Sequence, residues 1–142
     1  MKMNITIADA IKMIVRLYMP LSGYWVDEIE NDPMVKMLVK AEYVSLDDEH
    51  NNKYVINAKG KDFFHLYIEQ ISLDFINFMK GNMMSCSTPE IIQWYMQKYN
   101  LTDIDIAEDI TEYIRLNLNT YGYNATTFHS AKIENGIQIE KL

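Results

Sequence analysis

The side chains best equipped for chemistry in this sequence are few and scattered. His65 and Glu69 stand one helical turn apart and could share a metal ion. A metal site normally takes three or four ligands, however, and no third His or Cys with ligand spacing accompanies them. His50 and His129 fall at candidate hairpins. Cys86, the single cysteine, lies between Ser85 and Ser87 with no histidine at an activating spacing. A thiol needs a lowered pKa or an adjacent base before it serves as a nucleophile. The carboxylate pairs Asp47-Asp48 and Glu108-Asp109 suit a polar tip and a solvated helix face. Five glycines in all leave little material for a phosphate-binding loop. The expectation is a protein that is not an enzyme and holds neither metal nor cofactor.

Binding is the remaining class of function, and charge bears on it directly. The chain has 13 Lys+Arg against 20 Asp+Glu, a net charge of −7. Nucleic-acid binders usually carry a basic surface, because neutralising phosphates supplies most of the sequence-independent affinity. Arg16 and Arg115 are the only arginines, and arginine is the commonest direct reader of guanine. Any DNA-binding surface must therefore be a local patch. The 142 residues, 49% of them hydrophobic, suit one domain or two very small ones with a proper core. No apolar run reaches the roughly 18 residues of a membrane span. The opening MKMNITIADA lacks the apolar core of a signal peptide. With one cysteine, a reducing cytoplasmic setting is the simplest reading.

Helical periodicity dominates the chain. Thr6 and Asp9 have cap spacing, and Ile7, Ile11, Ile14 and Tyr18 then line one face of a helix that Pro20 stops. A short second helix is expected over Tyr24 to Glu30, and Asp32-Pro33 opens a third through about Ala41. Tyr43 to Leu46 and Tyr54 to Ile56 then flank a polar tip, a hairpin signal. From Ala58 a long helix follows whose apolar stripe is too wide for one core-facing face. Burial between two subunits would satisfy it. That makes Phe64, Ile68, Ile71, Phe75, Phe78 and Met79 candidates for a homodimer interface. Lys80 to Ser87 read as a linker and Thr88-Pro89 as a sharp helix start. Thr102 with Asp105 predicts a cap for a further helix through about Leu118, and Gly122 ends the helical region. The tail reads as a hairpin: Thr127 to Ile133, an Asn135-Gly136 turn, then Ile137 to Glu140.

The stretch Met34 to Val44, its polar tip, and Tyr54 to Phe64 containing Ile56-Asn-Ala-Lys-Gly60 resemble the winged helix-turn-helix superfamily over residues 6–80. The resemblance implies a recognition helix, two wing strands and DNA-binding transcription regulation. On that basis the candidate DNA contacts are Lys36, Met37 and Lys40 on the helix, Asn51, Asn52 and Lys53 in the wing, and Lys59 and Lys61 after it. This chain departs from the family pattern in its acidic approach to the helix (Asp27, Glu28, Glu30, Asp32) and its acidic tip (Asp47 to Glu49).

The reading that results is α+β and mainly helical. Residues 1–81 form a winged-helix domain with a long fourth helix, and residues 82–142 a helical subdomain ending in a β-hairpin. A leucine–four residues–tyrosine spacing recurs at Leu38–Tyr43 and Leu118–Tyr123, so the second part could be a degenerate second winged helix. Two functions compete. One is a DNA-binding regulator, acting as a homodimer. The other is an acidic protein–protein interaction or assembly module that binds no nucleic acid.

Overall fold

The computed structural model describes residues 5–18, 24–25, 32–47, 49 and 53–142. Among these, five α-helices and two three-stranded antiparallel sheets follow one another along the chain. The α+β class with helix predominating is therefore as the sequence predicts. Residue contacts divide the chain into two units, Met1–Tyr67 and Ile68–Leu142. The division falls inside the long helix and not at the turn that follows it.

In the first unit, α1 (Ile7–Tyr18) starts where expected: the Thr6 hydroxyl accepts the Asp9 N–H at 3.1 Å. It buries Ala10, Ile11, Ile14 and Leu17. Tyr24–Trp25 form a strand, β1, where a helix was expected. Two residues are too few to show a strand's alternation. Residues 26–30 of that expected helix lie outside the described residues. Helix α2 (Pro33–Lys40) is capped by Asp32, whose carboxylate accepts the Met34 N–H at 2.9 Å. Two paired strands follow, β2 (Val44–Leu46) and β3 (Lys53–Ile56). The sheet order is β1-β3-β2, with Tyr24 opposite Tyr54 and Val44 opposite Ile56.

Asn57 ties the β2–β3 pair to what comes next. Its side chain accepts the Gly60 N–H at 2.9 Å, capping α3 (Ala58–Gly81), and donates to the Glu42 carbonyl at 2.7 Å and to Ser45 Oγ at 2.8 Å. Gly60 is required by proximity, because a Cβ there would collide with the Tyr43 carbonyl oxygen. The Asn-Ala-Lys-Gly stretch is thus a helix cap followed by a close backbone contact.

The second unit takes in α3 from Ile68 onward, then β4 (Ser85–Ser87), α4 (Thr88–Tyr99) and α5 (Ile104–Asn117). A 3₁₀ turn at Leu118–Tyr121 leads to β5 (Tyr123–Phe128) and β6 (Gly136–Lys141). The sheet order is β4-β6-β5, with the first strand again beside the last. Strand β4 lies inside the expected linker. Ser87 caps α4 and Asp103, not Thr102, caps α5. Asn135-Gly136 is not the hairpin turn: Gly136 already belongs to β6 and pairs with Phe128, leaving residues 129–135 as the loop. The glycine serves packing, since the Phe128 ring occupies the space of its missing side chain. Alternation within the pair places Tyr123, Ala125, Ile137 and Ile139 inward. They join Phe75, Met79, Ile91, Tyr95, Ile110, Ile114 and Leu118 among the buried residues of this unit.

Candidate interaction surfaces

Helix α2 shows how the sequence sorts its own faces. Val35 and Leu38 are buried, whereas Lys36 and Lys40 are exposed and Met37 is half-exposed between them. Pro33, Lys36, Met37 and Lys40 stand at i, i+3, i+4 and i+7, the spacing of one helical face. The solvent side of α2 is therefore a methionine flanked by two ammonium groups. Lys59 and Lys61 are exposed in the first turn of α3, with Lys59 Nζ held 5.6 Å from the Tyr43 ring centre. Lys53 is half-buried on β3. Asn51 and Asn52 lie outside the described residues.

Helix α5 is the last α-helix before the β5–β6 pair of the second unit, and its charge is opposite to that of α2. Asp105, Glu108 and Asp109 are exposed. Glu112 forms an ion pair with Arg115, which keeps the Glu112 carboxyl below its usual range. Ile104 is about half exposed at 52%. Beside this helix runs a groove of about 420 Å³ whose apolar lining comes from Pro89, Ile92 and Phe128, with Glu108 on its margin. A second groove, of about 410 Å³, lies along α3 and α4, where Phe78 stacks on Trp94 at 4.6 Å beside Pro89, Gln93 and Gln97. Neither groove shows as a pattern in the sequence. Ile92, Trp94 and Phe128 are each left partly uncovered by the fold.

The proposed dimer face is already occupied. Phe64, Ile68, Ile71, Phe75 and Met79 are buried by the chain itself, and Phe78 alone of the six is partly accessible. The stripe on α3 is wide because the helix belongs to two units in succession. Phe64 packs edge-on to Phe63 in the first unit, while Phe75 stacks with Tyr95 in the second. Five of the six are covered within the chain, and Phe78, which lines the groove beside Trp94, is the one left partly open.

The residues that could have done chemistry are quiet in the structure. Cys86 is buried and donates its thiol to Glu90 at 3.3 Å. Burial, with the Glu90 carboxylate next, pushes its pKa up to about 11, the wrong direction for a nucleophile. His65 is exposed, and among the described residues no group of three or more His, Cys, Asp or Glu is placed to hold a metal. The Tyr99 hydroxyl donates to Asp74 at 2.7 Å, and burial followed by that bond raises its pKa far above normal. Among the described residues no helix is long and apolar enough to cross a membrane. Set against protein-family models, curated proteins and solved structures, the chain matches none.

Proposed function

We propose that this chain is a protein-interaction module made of two winged-helix-like units, and that it does not work as a DNA reader. One observation carries the reading: the helix that precedes the strand pair is cationic in the first unit and anionic in the second. Asp105, Glu108 and Asp109 face solvent on α5, where a DNA-binding winged helix would approach phosphates. The imbalance extends to each unit as a whole. Residues 1–67 hold eight Lys/Arg against ten Asp/Glu, and residues 68–142 five against ten. The repeated strand order, first strand beside third, supports assigning both units to one architecture.

The exposed lysines Lys36, Lys40, Lys59 and Lys61 favour the regulator reading. If all four met phosphates, the salt slope would be about −3.6 and a fourfold rise in salt would weaken binding roughly 150-fold. The net charge of −7 and the acidic α5 weigh against such a hold. Fluorescence anisotropy with random duplex DNA at about 50 and 200 mM salt tests the proposal. No binding is expected at the lower salt. Salt-sensitive binding that vanishes in Lys36→Glu/Lys40→Glu would overturn it and restore the regulator, with α2 in the major groove.

A further inference from the structure

We infer that the cationic face of α2 docks into the α5 groove of a second copy of this chain, so that the protein associates head to tail. The inference rests on the interaction reading above and names the partner. Both halves of the match are on one chain. The face of α2 is Met37 between Lys36 and Lys40, exposed or half-exposed. The groove, of about 420 Å³, is lined by Pro89, Ile92 and Phe128 together with Glu108 and the polar Thr88 and Thr127. Asp105 and Ile104 stand one turn back from Glu108 and are exposed on the same side of α5. Met37 is the one large apolar side chain on this face, since Val35 and Leu38 are buried within the chain, so it is the single anchor offered to the groove. Methionine suits an irregular apolar groove because its unbranched chain adapts to the space. The two lysines then meet the carboxylates at the margin, where opposite charges set register and speed encounter.

The surface given and the surface received differ, so each contact joins two unlike patches. Exposed ion pairs are screened within about 8 Å at physiological ionic strength, which makes the association salt-sensitive.

Sedimentation velocity over a rising concentration series, in low and in high salt, tests this with two charge-reversed chains. One carries Lys36→Glu/Lys40→Glu and the other Asp105→Lys/Glu108→Lys, each first shown to be folded by far-UV circular dichroism. All four positions are exposed, so folding should be unaffected. Wild type should associate at low salt, and each variant alone should shift its dissociation constant at least tenfold weaker. An equimolar mixture of the two variants should associate again, because each supplies the surface the other needs. A wild type monomeric at every concentration, or a mixture no more associated than its components, overturns the head-to-tail contact. Either result leaves the interaction reading standing, since that reading fails only by the DNA measurement.

Discussion

At the residue scale, two tyrosines in one aromatic cluster have opposite accounts. Tyr95 and Tyr99 are both buried and lie 6.0 Å apart between ring centres. The Tyr99 hydroxyl has a charged acceptor in Asp74, whereas the Tyr95 hydroxyl is wholly buried with no hydrogen-bond partner among the described residues. A buried polar group without a partner loses its hydration and regains nothing, while a bond to a charged group contributes about 1.5–3 kcal/mol. Tyr99→Phe is therefore expected to destabilise by about 2 kcal/mol, and Tyr95→Phe to be neutral or stabilising, as urea midpoints would report. Equal losses from both would count against this account. Cys86 gives a pH-dependent counterpart. Its folded pKa is raised from 9.0 to about 11, so between those values the unfolded chain releases a proton that the folded chain keeps. Stability should fall as pH rises through that window. Cys86→Ala should flatten the fall, and iodoacetamide should label the native thiol slowly at neutral pH.

At the scale of elements, what the sequence made legible was whatever has a local cause. Caps at Thr6 and Asp32 follow from side-chain oxygens meeting free N–H groups, and the structure has both. The leucine–four residues–tyrosine spacing also has a local cause. Helix α2 ends with Glu42 left-handed at φ 62°, the Tyr43 N–H on the Leu38 carbonyl and the Glu42 N–H on that of Val39. This is a Schellman end, in which Leu38 and Tyr43 are the pair that covers it. After α5 the left-handed residue is Gly122, its N–H reaching the Leu118 carbonyl, with Tyr123 next. What escaped the sequence depends on remote partners. Strands β1 and β4 are two and three residues long and exist because β3 and β6 offer edges. The charged groove on α5 arises from α4, α5 and the strand pair together, so no local pattern announces it. The comparison of the two helix ends yields a prediction. Glutamate in the left-handed region costs about 1 kcal/mol that glycine avoids. Glu42→Gly should raise the melting temperature, whereas Asn57→Ala, which removes a cap and two further bonds, should lower stability by about 2 kcal/mol. Thermal melts of the two variants moving the same way would contradict the assignment of these roles.

At the scale of the molecule, the question is why one strand order appears twice, with helices of opposite charge leading into the two strand pairs. Two equivalent cationic helices would suit a polyanion, and two anionic ones would repel it. One of each makes the chain complementary to itself. Such a chain has a polarity, since α2 and α5 cannot exchange roles while Lys36 and Lys40 face carboxylates. Reversing both surfaces on one chain tests this most directly. A chain carrying Lys36→Glu, Lys40→Glu, Asp105→Lys and Glu108→Lys together keeps the net charge at −7, because the changes cancel. If overall charge governed association, this chain and wild type would behave alike and would mix freely. If the α2–α5 contact governs it, the reversed chain should associate with itself at low salt as wild type does. It should then be excluded from wild-type assemblies, because every mixed contact sets like charges together, at a cost comparable to what the native pairing contributes. Sedimentation of the labelled reversed chain in excess unlabelled wild type reads the difference. Co-migration would show that the two surfaces do not meet.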